Sequence, residues 1–124
     1  MTKRSAKQRA DNPTWEDINL WRAVERIGLP YGKYEWIGEE KGDRRANYYL
    51  PCVIQLASGR KAGVEYILWQ PSTPDKRTLN KVAEMAYHNK LRYCRDKGVP
   101  VLQVDRFTPS EVLEMKIRKW LAEL

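Results

Sequence analysis

Residues 47–69 read NYYLPCVIQLASGRKAGVEYILW, and this stretch decides how the rest of the chain is interpreted. Two runs rich in β-branched, aromatic and aliphatic residues, at 47–56 and 62–69, are separated by the turn signal Ser58-Gly59. The pattern predicts an antiparallel β-hairpin. Glu65 falls near the middle of the second strand, where its carboxylate interrupts an otherwise largely apolar segment.

An amphipathic helix is predicted before the hairpin, ending near residue 27. Thr14 is a suitable N-cap, and Asp17 stands where the acidic residue of a capping box is found. Leu20 and Val24 fall on one apolar stripe, and Gly28 ends the helical pattern.

The remaining segments predict an α/β architecture. A first strand is expected at residues 33–38 and a long helix at 75–97; a strand is expected at 99–104, whose nearly all-apolar sequence indicates a central position buried on both faces. Thr108-Pro109 is predicted to cap a last helix. The order helix, three strands, helix, strand, helix gives one mixed sheet flanked by helices, in a single domain over residues 13–124.

The net charge of +7 is unevenly distributed along the chain. Residues 1–12 hold four basic residues and one acidic residue, and we interpret them as a flexible basic arm. Residues 76–97 hold seven basic and two acidic residues, whereas the rest of the chain is close to neutral. A basic arm and a basic helix are typical of a surface that contacts phosphates, although a solvated helix face has the same pattern.

Several classes of protein are disfavoured by the composition. No apolar run approaches the roughly 18–20 residues that span a bilayer, and the first residues lack the apolar segment of a secretory signal. Cys52 and Cys94 are too few and too far apart for a disulfide framework or a CxxC metal site, so both are expected to be buried apolar residues. The five tryptophans are mostly core candidates. A soluble cytoplasmic protein that does not bind membranes is predicted.

Four short motifs resemble the PD-(D/E)xK nuclease superfamily, in particular its small very-short-patch-repair-type and transposon-end-cleaving endonucleases. DINLW at 17–21 is similar to the first-helix motif; LPC at 50–52 stands where Pro-Asp is expected; GVEYI at 63–67 stands at the acid-x-lysine strand; RYCRDKGVPVL at 92–102 is similar to the closing junction of helix and strand. The resemblance covers nearly the whole chain from Thr14 onward. It implies a restriction-endonuclease-like αβββαβ core followed by a C-terminal helix.

The resemblance also implies a catalytic site. Asp17 and Glu65 would hold Mg²⁺ or Mn²⁺, hard cations that prefer carboxylate oxygens and that activate water for attack on phosphorus. Cys52 replaces the aspartate of the first hairpin strand, and Ile67 replaces the lysine of the second. One hard ligand and the usual cation are therefore missing, and whether the protein cleaves DNA is left open.

Helical geometry offers a substitute for the missing lysine. At about 100° per residue, Lys90 falls within the stripe of Leu79, Ala83 and Cys94 that should face the sheet. A lysine in an apolar stripe is costly unless it meets an acid, so Glu65 is the expected partner. The alternative is that the helix end is exposed and Lys90 reaches water.

The other candidate residues each keep two interpretations. Asp17 is either a metal ligand or only part of the capping box. Glu65 is either a metal ligand or an exposed acid paired with Lys61 or Arg60. Gln70 either orients water or a phosphate at the catalytic site, or is simply the polar end of a strand.

One face of the long helix is the predicted nucleic-acid-binding surface. Residues three and four apart share a helix face, and the basic row consists of Arg77, Lys81, His88, Arg92 and Arg95. The leading interpretation is a DNA-binding, nuclease-like protein of the kind carried by phages and mobile elements, a metal-dependent endonuclease with a rearranged site. The alternative is a catalytically inactive nuclease-fold protein that binds DNA or a protein partner. A homodimer is compatible with both.

Overall fold

A four-stranded mixed sheet organises the protein in the computed structural model, which describes residues 6–37, 49–67 and 77–124. Its strands are β1 (Tyr31–Trp36), β2 (Tyr49–Gln55), β3 (Lys61–Tyr66) and β4 (Val101–Val104). The first three strands form an antiparallel meander, and β4 pairs with β3 in parallel, so the order in the sheet follows the chain. The helices are α1 (Ala6–Asp11), α2 (Trp15–Ile27), α3 (Arg77–Asp96) and α4 (Ser110–Glu123).

Helices cover both faces of the sheet. Successive side chains of a strand point to opposite faces, so apolar strands present two apolar faces, and each is covered by helices. One cluster of buried apolar side chains joins α2 and α4 to the sheet, and includes Leu20, Val24, Ile54, Val64, Leu113 and Ile117. A second cluster joins α3 to the sheet through Leu50, Val53 and Cys94. The prediction of an α/β fold with helices flanking a mixed sheet, and of a C-terminal helix, is therefore confirmed.

The ends of α2 follow from local sequence signals. The Thr14 hydroxyl accepts the backbone N–H of Asp17 at 3.3 Å, and the Asp17 carboxylate accepts the backbone N–H of Thr14 at 3.2 Å. At the other end, Gly28 adopts φ +86°, and its N–H bonds to the carbonyls of Val24 and Glu25. The predicted capping box and glycine cap are both present, and they fix where the helix begins and where it ends.

β1 contains a residue with an unusual backbone conformation, Tyr34. Tyr34 has a φ of +48°, the only positive value among the described non-glycine residues. It lies across from Pro51, which has no N–H to give to a strand ladder, and the regular pairing of β1 with β2 is interrupted there. The Pro51 carbonyl instead accepts the indole N–H of Trp21 at 2.9 Å. The left-handed conformation costs about 1–2 kcal/mol, and at this position the Tyr34 hydroxyl lies against α2.

Gly63 in β3 leaves space that Leu50 fills. A Cβ atom on residue 63 would overlap Leu50 Cδ1, and Leu50 is fully buried against Val53 and Cys94, so it has little room to move. We expect Gly63→Ala to lower the free energy of unfolding by about 1–3 kcal/mol, the usual cost of overpacking a core. Urea denaturation measures this change.

A double variant checks the cause of that loss. Leu50→Val removes the obstructing methyl group, so the combination with Gly63→Ala should cost less than the sum of the two single substitutions. Strictly additive costs would show that Leu50 is not the obstacle.

Part of the predicted arm is helical, and the predicted last strand differs from the structure. Residues 6–11, expected to be flexible, form α1, which contacts β1. Residues 101–104 form an edge strand of the described sheet rather than a central one, and Gln103 is exposed. The apolar sequence reflects contacts with the helices above and below, which say nothing about the number of neighbouring strands.

Three smaller expectations are also corrected. Thr108 does not cap α4 with its side chain: Pro109 is the N-cap residue, and the Thr108 carbonyl accepts Asn19 Nδ2 at 2.6 Å. Ala83 is exposed and so does not belong to the predicted inner stripe of α3, whereas Lys90 and Cys94 do. Trp15 is 64% exposed and is not part of the core. None of the described helices is long and apolar enough to cross a membrane.

Candidate functional site

The site lies where β2 and β3 separate. The last pair in their ladder is Cys52 with Val64. Beyond that pair the two strands line a cavity of about 300 Å³, which also receives side chains from α1, α2, α3 and the connection between β4 and α4. Its charged lining residues are Arg9, Glu16, Asp17, Glu65, Lys90 and Arg106.

Glu65 and Lys90 form a buried ion pair in this cavity. Glu65 is 6% exposed, and its Oε2 contacts Lys90 Nζ. Its Oε1 accepts the N–H of Tyr66 at 2.8 Å, and Lys90 also donates to the carbonyl of Tyr49 at 3.3 Å. The contact predicted from helical geometry is present.

The alternative partner for Glu65 is wrong. Lys61 pairs instead with Glu35 at 3.5 Å, and the buried Glu65 is not an exposed acid of the sheet edge.

Asp17 belongs to the predicted capping box, and its side chain also lines the cavity. The residue is only 1% exposed. Its Oδ1 accepts the hydroxyl groups of Tyr34 at 2.8 Å and Tyr66 at 2.6 Å. The carboxylate is therefore held in one orientation by donors from α2, β1 and β3.

The two tyrosines act as fixed donors. Burial and the charge of Asp17 raise the pKa of Tyr34 well above its usual range. Burial and the hydrogen bond to Asp17 raise the pKa of Tyr66 further still. Both hydroxyls consequently keep their protons at any ordinary pH and orient the Asp17 carboxylate.

Two arginines in the cavity were missed by the sequence analysis. Arg106 follows β4, and its guanidinium lies 5.3 Å from the Tyr66 ring centroid. Its buried Nε has no hydrogen-bond partner among the described residues. Arg9 of α1 lies 5.8 Å from the Tyr34 ring centroid. The position of Arg106 just after the last strand was the signal for it. Because β4 runs parallel to β3, the residues that follow β4 lie at the same end of the sheet as Glu65.

Cys52 and Ile67, which stand where the resemblance predicts an aspartate and a lysine, are not among the residues that line the cavity. Cys52 is fully buried in the cluster with α2 and α4, and burial raises the pKa of its thiol to about 12. Ile67 follows β3 and is half-exposed. Both cysteines are free and buried, as predicted. Gln70 lies outside the described residues.

The donor set fits a divalent cation only in an open arrangement. Within residues 6–37, 49–67 and 77–124, no group of three or more His, Cys, Asp or Glu side chains is placed to share one metal ion. Asp17 and Glu65 nevertheless line the same cavity. Magnesium is often held by one or two carboxylates with water completing its shell. A cation held by these two carboxylates would keep most of its shell as water, and the described residues offer no closed, fully protein-ligated site.

The predicted nucleic-acid row lies on the exposed side of α3. Lys81, His88, Arg92 and Arg95 are all exposed, whereas the side chain of Arg77 lies outside the described part of the structure. His88, Arg92 and Arg95 share a second, open groove of about 710 Å³. Arg60 from the hairpin turn and Trp120 from α4 also line it, and neither was predicted to do so.

Comparisons with protein-family models, with curated proteins and with solved structures find no match to the chain. Its function is therefore argued from the geometry.

Proposed function

We propose that this chain is a nuclease-like protein that binds DNA and hydrolyses phosphodiester bonds with the help of Mg²⁺ or Mn²⁺. The proposal includes a restriction-endonuclease-like identity for the fold. One observation carries it: Asp17, Glu65 and Lys90, from three different elements, meet in one cavity where β2 and β3 separate. The meander followed by a helix and a parallel strand supports the same assignment.

Asp17 and Glu65 are the residues that would hold the cation. When bound, a divalent cation supplies Lewis acidity at the phosphate and neutralises charge on the leaving oxygen. Tyr34 and Tyr66 fix the orientation of Asp17, so that its carboxylate need not reorganise when the substrate arrives.

The three described basic residues that line the cavity have a different role from the carboxylates, since they would contact the phosphate. Lys90 balances the charge of Glu65 and presents an ammonium group where negative charge develops on phosphorus oxygens. Arg106 offers a buried N–H without a partner among the described residues, a suitable donor to a phosphate oxygen. Arg9 adds a third positive charge from α1.

The exposed row on α3 supplies affinity for the DNA backbone. Lys81, Arg92 and Arg95 are solvent-accessible cations on the same helix that carries Lys90 into the cavity. Contacts of this kind position a duplex without reading its sequence.

A second candidate function is supported by the state of the two carboxylates. Glu65 is already neutralised by Lys90, Asp17 already accepts three hydrogen bonds, and Cys52 lies in the core. These features suit a nuclease-fold protein that binds DNA, or a protein partner, without cutting.

Incubation with supercoiled plasmid distinguishes the nuclease from the inactive DNA-binding protein. The enzyme converts the plasmid to open-circular or linear DNA in Mg²⁺ or Mn²⁺, and a chelator stops the conversion. Intact plasmid together with a retained gel shift would overturn the hydrolase and support the inactive DNA-binding protein. If the protein neither cuts nor shifts DNA, both DNA proposals fail and an interaction module remains.

A further inference from the structure

The groove on the exposed side of α3 has a chemistry distinct from that of the Glu65 cavity. Its basic lining comes from two places: Arg92 and Arg95 lie on α3 with His88, and Arg60 lies in the turn between β2 and β3. No acidic residue is among the described residues that line it. Glu84 contacts His88 from outside the groove, with 3.8 Å between Oε1 and Nε2. The groove therefore presents a positive field to any ligand.

An aromatic side chain completes the groove. Trp120 of α4 is half-buried, packs against the larger apolar cluster, and exposes part of its indole to the groove. Because Trp120 packs against the core, its indole is held in place before a ligand binds. Gln103, exposed on β4, also lines the groove, and its Oε1 accepts the Tyr87 hydroxyl at 3.2 Å.

Cations that follow a backbone, together with an aromatic face, are the combination used to bind unpaired nucleic-acid strands. A paired base is stacked on both sides within a duplex, so only an unpaired base can stack on Trp120. The groove, at about 710 Å³, is of the size that holds a small ligand, such as one unpaired base with its neighbouring phosphates.

We infer that this groove binds single-stranded DNA, with the phosphates on Arg60, Arg92 and Arg95 and one base stacked on Trp120. The inference rests on the proposed DNA binding and specifies the substrate class, a DNA that carries an unpaired segment. α3 links the two sites, since Lys90 reaches the cavity from one side of the helix and Arg92 reaches the groove from another.

Fluorescence anisotropy with a labelled oligothymidylate of about 12 nucleotides, within the roughly 4–16 nucleotides typical of such sites, tests the inference. The wild-type protein should bind it with a log–log salt slope near about −2, as expected for three contacted phosphates on a single strand. Arg92→Gln with Arg95→Gln should weaken binding by about 10-fold or more. The matched control is Arg22→Gln with Lys116→Gln, two exposed cations outside the groove, which should change it by less than about 2-fold.

Two substitutions at Trp120 separate stacking from folding. Trp120→Leu should weaken binding by about 5- to 100-fold, because one base–aromatic stack is lost. Trp120→Phe keeps an aromatic face and should retain most of the affinity. Equal losses in the two variants, or none in either, would overturn the stacking arrangement.

The remaining outcomes distinguish this inference from the proposed function. Glu65→Gln should leave oligothymidylate binding intact whether or not the protein cuts plasmid. A wild-type protein that cuts plasmid but does not bind oligothymidylate would overturn the inference alone. Binding that the Arg92 and Arg95 substitutions leave unchanged would overturn the assignment to this groove, and tighter binding of the matching RNA would overturn the assignment to DNA.

Discussion

Plasmid cleavage should fall by about 10³-fold or more in Glu65→Gln, because the amide removes the negative charge that attracts the divalent cation. Glutamine has the same shape and can still accept the N–H of Tyr66, so the loss reports the charge rather than the backbone contact. The measurement is the rate of conversion of supercoiled to open-circular plasmid at saturating Mg²⁺, with wild-type protein alongside.

Two controls make that result interpretable. Arg22 is exposed and lies outside both the Glu65 cavity and the groove on α3. Arg22→Gln, purified in the same way, should cut at the wild-type rate, which excludes loss of activity during purification. Glu65→Gln should also retain the gel shift with duplex DNA. Cleavage that persists in Glu65→Gln would contradict the assignment of this carboxylate and point to a contaminating nuclease or another site.

Lys90→Met should lower the free energy of unfolding by about 3–5 kcal/mol, the usual cost of leaving one partner of a buried ion pair without the other. The Glu65 and Lys90 side chains are only 8% and 15% exposed, so solvent cannot replace the lost partner effectively. Methionine keeps the length and flexibility of the lysine stem. Chemical denaturation near neutral pH measures the change.

A double variant isolates the pair from its surroundings. Lys90→Met combined with Glu65→Gln removes both charges, so it should be more stable than Lys90→Met alone and should recover a substantial part of the loss. If the double variant is as unstable as the sum of the two single variants, the ion pair does not explain the stability of this part of the protein.

Much of the fold was predictable because its signals are local. The capping box of Thr14 and Asp17, the glycine cap at Gly28 and the Ser58-Gly59 turn each depend on neighbouring residues, and all three are present. The edge position of β4 was not predictable in the same way. An apolar strand sequence reports contact with the helices above and below, whereas its place in the sheet depends on the whole topology.

The candidate site shows the same division. The pairing of Lys90 with Glu65 followed from helix periodicity and the cost of burying a charge, because one acid on the adjoining strand was available. Arg9 was missed because the first residues were treated as separate from the domain. Trp120 was expected in the core, and its half-exposed position depends on how α4 packs against the rest of the fold, which no periodicity encodes.

Lys90 lies on the covered side of α3, and Arg92 and Arg95 lie on its exposed side. Position 90 is covered by the sheet, whereas positions 92 and 95 face water, and substitution at one place leaves the other sterically untouched. Under the proposed function, cleavage and binding of single-stranded DNA can therefore be lost separately by substitutions on different sides of one helix.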